Sequence, residues 1–383
     1  MSATIYDGPN MKRITIRASG LYTPPESISN DELVAAFNAY VELHNAEHAD
    51  AIAAGTQAPL SPSSSEFILK ASGIRSRHVL NKAGVLDIQR MTPELACRSN
   101  DEPSQMCDMG VAAGRQALER AGVSADSVDL VICAASNMQR AYPAMAVEIQ
   151  DALGASGFAY DMNVACASAT FGLQAACDAV RSGAATRALV ISPEICSGHL
   201  NFRDRDSHFI FGDACTAMLV EPMDEDDQAG GFEILGARLK TQFSSNIRNN
   251  AGFLNRAEVP QRPANDLLFI QQGRKDFKEV VPMVSSLIAE HLRALDLQPE
   301  QVCRFWLHQA NLSMNQLIAR KVLGCEPAPN QAPVILDEYA NTSSAGSVIA
   351  FHLHSADLQV GDIGALCAFG GGYSVGNVIL RRH

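Results

Sequence analysis

The stretch YDMNVACASATFGLQAACDAV, residues 160–180, predicts a strand, a tight turn and a helix in succession. The β-type run ends at Asn163, and the turn through Ala165 brings Cys166 to the start of a helix with apolar positions such as Phe171. Unpaired amides and the positive end of the macrodipole favour a thiolate there, so Cys166 is a candidate nucleophile. The residues alone leave open a buried structural cysteine in an Ala-rich core helix.

Composition bounds the class of protein. The 383 residues are 47% hydrophobic and 19% charged, which suits two similar-sized domains or one large α/β unit. No stretch is long and apolar enough to span a bilayer and the start lacks a secretory core, so we expect a cytoplasmic protein without a membrane partner. Ten scattered cysteines without a Cys-x-x-Cys argue against zinc and a disulfide framework. A net charge of −12 argues against nucleic acid.

Periodicity predicts alternating elements along the chain. Residues 12–19 alternate like a first strand, and a helix should open at Ser29 or Asn30. Residues 103–121 have the spacing of a buried helix that ends at Gly122, and a fully buried strand follows. A helix followed by such a strand is typical of α/β proteins.

Two polar segments have open interpretations. Residues 38–66 include a polar run that is either an inert surface loop or a flap near a substrate mouth. The mixed charge run NFRDRDS, residues 201–207, is interpreted as a solvated loop.

Further short words follow the Cys166 turn in order. They include HQAN at 308–311, where a buried strand delivers His308 to the start of a helix, and NTSSAGS at 341–347. A strand, three glycines and a second strand close the chain, and such glycines let backbone amides approach a ligand. With GIRSRH, FGDACTA and GRKDFK, these words resemble the β-ketoacyl-acyl-carrier-protein synthase III family of thiolase-like condensing enzymes. The matching stretches are 73–78, 161–172, 211–217, 273–278, 308–311, 341–347 and 368–374.

The resemblance implies an α/β fold of the thiolase-like type. Two pseudo-repeated α/β halves, each with a mixed five-stranded sheet, would stack in an αβαβα arrangement. The N-terminal half, 1–225, would carry the nucleophile, and the C-terminal half, 226–383, the His and Asn. The family also implies a homodimer.

The resemblance also implies roles for site residues. Cys166 would attack an acyl thioester, with the amides of Cys166 and Gly371 stabilising the oxyanion. His308 and Asn341 would donate to the enolate that decarboxylation leaves, and Phe369 would crowd the departing carboxylate. This chemistry needs no metal and no cofactor.

The implied reaction is that of a 3-oxoacyl-acyl-carrier-protein synthase III in fatty acid biosynthesis. An acyl group passes from acyl-CoA to the cysteine and then condenses, with loss of carbon dioxide, with malonyl-acyl-carrier protein. Phe67 and Ala71 stand where relatives that use acetyl-CoA carry a Trp and an Arg that grip the nucleotide. The missing guanidinium favours a primer longer than acetyl, of medium length.

The resemblance adds a set of substrate-binding residues. Tyr142 aligns with an aromatic residue that closes the acyl tunnel of the neighbouring protomer, although an ordinary Tyr-Pro turn is the alternative. Arg320 and Lys321 occupy basic positions that face the carrier protein. The full set is Phe67, Tyr142, Arg274, Arg320 and Lys321.

Other reactions of the superfamily remain alternatives. Members that condense two acyl-CoA molecules without decarboxylation place a Glu base where this chain has Tyr142, and the motifs offer no carboxylate near Cys166. Acyl transfer to a secondary-metabolite acceptor is a second alternative. A non-catalytic partner subunit would predict loss of Cys166 or His308, and both are present.

Overall fold

The computed structural model describes residues 4–5, 12–223 and 230–383. Its strands are β1 (Thr4–Ile5), β2 (Ile14–Tyr22), β3 (Glu26–Ser29), β4 (Ser76–Val79), β5 (Leu130–Ala134), β6 (Phe158–Met162), β7 (Ala188–Glu194), β8 (Ala214–Pro222), β9 (Phe232–Ser244), β10 (Ile247–Arg248), β11 (Ile270–Gln271), β12 (Val302–Leu307), β13 (Ile363–Gly370) and β14 (Gly372–Arg382). Its α-helices are α1 (Asn30–Glu47), α2 (Ala49–Ala53), α3 (Ser65–Ser72), α4 (Lys82–Leu86), α5 (Gln105–Ala121), α6 (Met145–Leu153), α7 (Ser168–Ser182), α8 (Gly273–Ala294), α9 (Leu312–Leu323), α10 (Leu336–Tyr339) and α11 (Ala345–Leu353). Within the described ranges, none of these helices has the length and apolarity to cross a bilayer.

Local signals fix the ends of the long helices. Ser29 caps α1 through a capping box with Glu32, which satisfies amides that a helix start leaves unpaired. Ser104 accepts from the amide of Cys107 at the start of α5, and Gly122 ends that helix in the left-handed region with φ of 68°. The helix starts and ends expected from the sequence are therefore confirmed here.

The strands of the N-terminal part pair in the order β2-β8-β7-β5-β6. β5 runs parallel to both of its neighbours, whereas β8 is antiparallel to β7 and to β2. β5, β7 and nearly all of β8 are fully buried, as expected for strands covered on both faces. α5 and α6 pack on the outer face through a cluster that includes Met109, Ile149 and Leu189.

The C-terminal part contributes four strands in the order β12-β13-β14-β9, with α8 and α9 on their outer face. β9 also pairs with β2, where Thr15 lies opposite Glu233 and Ile16 opposite Phe232. Together with β1 these strands form one continuous ten-stranded sheet. The predicted mixed sheets are present: among the described residues, β1 pairs with β9 as a fifth strand beside the four of the C-terminal part.

The middle layer consists of α7 and α11, which are packed between the two parts of the sheet. One hydrophobic cluster joins Leu173 of α7 and Val348 of α11 to Ile132 of β5 and Leu366 of β13. With α5 and α6 on one side and α8 and α9 on the other, the layers are those of the predicted αβαβα arrangement. The predicted boundary near residue 225 lies outside the described residues, so the division into 1–225 and 226–383 stays a prediction.

The segment 38–66 is less loop-like than its composition indicates. Its first part continues α1 and forms α2, and the remainder runs back along α1. Asn38 forms two hydrogen bonds with the backbone of Ser63, of 3.1 and 2.8 Å, and Asn45 does the same with Leu60, at 3.0 and 2.9 Å. Two asparagines of α1 therefore hold the later part of this segment against the helix.

Close contact between β14 and α7 depends on Gly376. A Cβ at this position would lie 2.2 Å from Oγ1 and 2.8 Å from Cβ of Thr170, which are distances that real Cβ atoms do not reach. The central helix can approach the sheet here only because residue 376 has no side chain.

We predict that Gly376→Ala lowers the free energy of unfolding by about 1–3 kcal/mol, the usual cost of overpacking a core. Gly252→Ala is the matched control, since no atom lies within 4 Å of the added Cβ, and its effect should stay within about 0.5 kcal/mol. Urea unfolding followed by circular dichroism measures both. Equal midpoints for the two variants would contradict the close contact.

Candidate active site

The nucleophile turn joins β6 to α7 and is held by its own side chains. Ala165 has φ of 48°, a region that residues with a Cβ rarely adopt. The side chain of Asn163 accepts from the amide of Ala165 at 3.0 Å, and the hydroxyl of Ser168 accepts from that of Val164 at 2.8 Å. These bonds hold the strained turn, which brings Cys166 to the wall of a pocket.

The glycine turn between β13 and β14 passes directly over this cysteine. A Cβ at Gly370 would lie 2.6 Å from Cβ and 3.0 Å from Sγ of Cys166, so only glycine fits at this position. The next amide, that of Gly371, hydrogen-bonds with the Cys166 sulfur. The structure therefore brings Gly371 to the cysteine, as the sequence predicts.

His308 and Asn341 line the same pocket from the C-terminal part of the fold. The amide of His308 donates to the carbonyl of Cys367 at 2.8 Å, which fixes the end of β12 against β13. Oδ1 of Asn341 accepts from the amide of Ser343 at 2.8 Å. Because Oδ1 is occupied in this way, the Nδ2 group of Asn341 is the part of the amide left to donate to a ligand.

Burial controls the protonation of both reactive groups. Burial raises the pKa of Cys166 to about 11, although the Ser343 hydroxyl, 3.3 Å from the sulfur, and the Gly371 amide act in the opposite direction. The expectation that a helix start favours the thiolate is therefore wrong here, because desolvation outweighs the local donors. Burial also lowers the pKa of His308 to about 4, so its imidazole is neutral at pH 7.

Phe369 stands beside the catalytic candidates. Its ring meets that of His308 edge to face, with centroids 5.1 Å apart, and it is almost completely buried. The ring gives the inner end of the pocket an apolar wall next to the imidazole.

These side chains share one pocket with a volume of about 580 Å³. Its lining is mostly apolar and runs from Cys166 outward to α3 and the start of α8. The lining includes Phe67, Ala71, Cys166, Phe209, Phe211, Ile247, Phe269, Arg274, Asp276, Phe277, His308, Asn311, Met314, Asn341 and Phe369.

Phe67 lines the pocket and carries a basic residue on its ring. The Arg205 guanidinium lies 4.0 Å above the Phe67 ring centroid, and Arg274 lines the same pocket. The charge run 201–207 is therefore not simply a solvated loop, since it supplies Arg205 to Phe67 and Asp206 to the lining. Sequence spacing missed this contact because 138 positions separate the two partners.

Three of the predicted substrate-binding residues lie away from the pocket. Tyr142 precedes α6 and is 85% exposed. Arg320 and Lys321 lie in the last turn of α9, and Arg320 pairs with Glu326 at 3.0 Å. None of the three lines the pocket, so their roles toward a second protomer and a carrier protein stay predictions.

The sequence analysis missed two buried carboxylates. Glu194 is the last residue of the fully buried strand β7, and it accepts hydrogen bonds from Ser136 and Ser344. Asp276 belongs to the word GRKDFK and lines the pocket itself. A charged residue at the end of an apolar run was the available signal for Glu194, because such a charge must find partners. Among the described residues, no group of three or more His, Cys, Asp or Glu side chains is arranged to hold a metal ion.

The raised thiol pKa makes the reactivity of Cys166 steeply dependent on pH. With a pKa of about 11, the thiolate fraction rises about tenfold per pH unit from about pH 7 to about pH 10, and so should the rate of alkylation by iodoacetamide. Ser343→Ala should slow the reaction at each pH, since a bond that favours the thiolate is lost. Peptide mass mapping measures the rate, with Cys166→Ala as the background control. A plateau near pH 8 would contradict the buried neutral thiol.

Comparison with known proteins agrees with this geometry. Residues 160–242 match the family model for 3-oxoacyl-[acyl-carrier-protein] synthase III, and residues 292–382 match its C-terminal model. The chain is 61% identical over 347 residues to the β-ketodecanoyl-[acyl-carrier-protein] synthase of Pseudomonas aeruginosa, covering 91% of this chain and 99% of the relative. It is 33% identical over 278 residues to a β-ketoacyl-[acyl-carrier-protein] synthase III of Roseiflexus, covering 71% and 82%.

Solved structures share the fold over nearly the whole chain. The 3-oxoacyl-[acyl-carrier-protein] synthase III of Aquifex aeolicus superposes with a TM-score of 0.75 at 25% identity, covering 96% of this chain and 99% of that one. The priming β-ketosynthase of the R1128 polyketide pathway gives 0.76 at 25% identity, covering 98% of each chain. The predicted thiolase-like fold is confirmed, and the chain belongs to the β-ketoacyl-[acyl-carrier-protein] synthase III family of condensing acyltransferases.

Proposed function

We propose that Cys166 takes an acyl group from acyl-CoA and condenses it, with decarboxylation, with malonyl-acyl-carrier protein in fatty acid biosynthesis. The observation that carries the proposal is the meeting of the Cys166 thiol, a neutral His308 and the amide of Asn341 in one pocket. At neutral pH His308 keeps one ring N–H to donate and Asn341 keeps its Nδ2 group, whereas the Cys166 thiol gives up its proton as it attacks.

The first half-reaction is acyl transfer to sulfur. The Cys166 sulfur attacks the thioester carbonyl, the bond from carbonyl carbon to the coenzyme A sulfur breaks, and the thiol proton leaves with coenzyme A. The oxyanion accepts hydrogen bonds from the backbone amides of Cys166 and Gly371. Both amides contact the Cys166 sulfur. The pocket's apolar lining strengthens these donors because it excludes water.

The second half-reaction is decarboxylation followed by carbon–carbon bond formation. Loss of carbon dioxide from the malonyl group leaves an enolate, whose oxygen accepts from the ring N–H of His308 and from Nδ2 of Asn341. Neutral His308 suits this role because it keeps a donor without a buried charge. Phe369 keeps water from the departing carboxylate. The enolate carbon then attacks the carbonyl carbon of the acyl group on Cys166, and the bond from that carbon to the Cys166 sulfur breaks. The β-ketoacyl product stays on the carrier protein, and the sulfur takes up a proton from solvent.

We predict that His308→Ala and Asn341→Ala still form the acyl-enzyme but condense it about 100- to 1,000-fold more slowly, as expected when one oxyanion donor is lost. Intact mass records acylation, and release of labelled carbon dioxide records condensation. His48→Ala, between α1 and α2, removes a histidine away from the pocket and should leave both steps unchanged. Full condensation by either of the first two variants would contradict the proposed donors.

The acyl group is proposed to have eight carbons. The relative at 61% identity bears the name β-ketodecanoyl-[acyl-carrier-protein] synthase, and a ten-carbon product made by adding two carbons implies an eight-carbon primer. Phe67 beneath Arg205 supports a donor that binds by stacking and charge, with Ala71 supplying no guanidinium of its own. The choice between general fatty acid synthesis and a shunt for scavenged acyl chains is not part of this proposal.

The experiment that tests the function is intact-protein mass after incubation with acetyl-, butyryl-, octanoyl- and dodecanoyl-CoA, followed by malonyl-carrier protein. We expect octanoyl transfer to Cys166 at least about tenfold faster than acetyl transfer, which corresponds to 1.4 kcal/mol, and discharge with one carbon dioxide per turnover. Cys166→Ala is the control and should gain no acyl group. Faster acetyl transfer would refute the primer, and discharge without carbon dioxide would refute the reaction class.

The proposed assembly is a homodimer that works with an acyl carrier protein in the cytoplasm. Exposed Tyr142 and the half-exposed Phe158 on the edge strand β6 support a contact with a second copy. Arg320 and Lys321 at the end of α9 support a contact with an acidic carrier protein. The cytoplasmic location rests on the proposed pathway and stays a prediction.

A further inference from the structure

Asp276 is a buried carboxylate in the wall of the catalytic pocket that the reaction described above does not use. It lies in the first turn of α8 and is 4% exposed. Its Oδ1 accepts from the hydroxyl of Tyr373 at 2.7 Å, and the Tyr373 oxygen accepts from Nδ2 of Asn246 at 2.9 Å. The direction of donation therefore runs from Asn246 through Tyr373 to Asp276.

The second oxygen of this carboxylate has an unfilled hydrogen-bonding capacity. Within the part of the chain that the structure describes, Oδ2 of Asp276 is buried and has no hydrogen-bond partner. The backbone amide of Gln272 lies near this carboxylate, but it donates to the carbonyl of Asn246 at 2.9 Å. A buried acceptor without a donor is unfavourable, and such atoms in native proteins call for a ligand or another partner.

Two other side-chain acceptors of the pocket wall already have donors. Oδ1 of Asn341 accepts from the amide of Ser343, and Oδ1 of Asn311 caps α9 by accepting from Met314 at 3.2 Å. A ligand that brings an N–H group into this apolar pocket therefore meets an open acceptor at Asp276.

The tyrosine is the donor in its hydrogen bond with this carboxyl group. Burial raises the pKa of Tyr373 to about 12, so its hydroxyl keeps the proton that it donates to Oδ1. Burial also raises the pKa of Asp276, and the hydrogen bond from Tyr373 opposes that rise. Because Tyr373 donates to it, the carboxyl presents Oδ2 as an acceptor.

We propose that Oδ2 of Asp276 accepts a hydrogen bond from an amide N–H of the pantetheine arm that carries the acyl thioester. This inference rests on the proposed function, since it needs a pantetheine thioester to reach Cys166 through this pocket. The arm's amide N–H groups lose water on entering an apolar channel, and an unpaired amide there would weaken binding. Asp276 is thus a binding residue for the arm that coenzyme A and a carrier protein share.

The test measures acylation of Cys166 by octanoyl donors that differ in their amides. These are octanoyl-CoA, the octanoyl thioester of N-acetylcysteamine, and the octanoyl thioester of methyl 3-mercaptopropanoate, which has an ester and no amide. Asp276→Asn keeps an oxygen for Tyr373 and puts an N–H₂ group where Oδ2 was. Glu300→Gln, at an exposed position just after α8, is the matched control for loss of one negative charge.

Asp276→Asn should lower kcat/KM for octanoyl-CoA by about 10- to 100-fold, mostly through KM, as expected for a lost hydrogen bond to a charged group. The ester donor should react at the rate of the unaltered enzyme, and Glu300→Gln should match that enzyme with all three donors. Tyr373→Phe, which keeps the carboxylate but loses the bond that orients it, should show a smaller loss with the same dependence on amides.

An equal loss with all three donors would overturn the inference, because it would indicate a structural role. Unchanged kinetics with octanoyl-CoA in both Asp276→Asn and Tyr373→Phe would overturn it as well. An unaltered enzyme that accepts an acyl group from none of the donors would refute the proposed function itself, and the inference with it.

Discussion

The buried carboxylate of Glu194 is the constraint on which the site geometry depends. It is 1% exposed and accepts from the amide and hydroxyl of Ser136, at 2.9 and 2.6 Å, and from the amide and hydroxyl of Ser344. A buried charge is tolerated only when such donors surround it. The ends of β5 and β7 and the start of α11 must therefore meet at one point. Because Asn163 also donates to the carbonyl of Ser136 at 2.9 Å, the nucleophile turn is tied to the same point.

Desolvation shifts the pKa values of Cys166 and His308 in opposite directions, and both shifts favour the uncharged form. It raises the pKa of Cys166 to about 11 and lowers that of His308 to about 4, so both are uncharged at neutral pH. Negative charge then develops only during the reaction, on oxygens that face backbone amides and neutral side-chain donors. With Cys166 and His308 uncharged, stabilisation in the proposed reaction comes from oriented dipoles in a mostly apolar pocket, which need little reorganisation.

Sequence reasoning recovered what depends on local signals. Helix ends follow from caps such as Ser29 and Gly122, and the buried strands follow from apolar runs, because these effects act over a few residues. Cys166, His308 and Asn341 were found through short words, and the fold brings all three to one pocket.

What the sequence could not provide is contact between distant positions. Asp276 and Tyr373 are 97 positions apart, and neither spacing nor composition connects them. The thiol pKa has the same origin, because it is set mainly by the protein packed around Cys166 and not by the helix start alone. The polar composition of segment 38–66 predicts a free loop because it does not show that Asn38 and Asn45, on α1, bind the backbone of the later part of the segment.

The neutral state of Cys166 also bears on oxidative damage. Peroxides attack thiolates far faster than thiols. Because the Cys166 thiol has a pKa of about 11, we expect it to be oxidised slowly at neutral pH. Cys97 and Cys325 are exposed and are reached by an oxidant before the half-buried catalytic sulfur. The burial that keeps Cys166 protonated thus also protects the proposed nucleophile from oxidation.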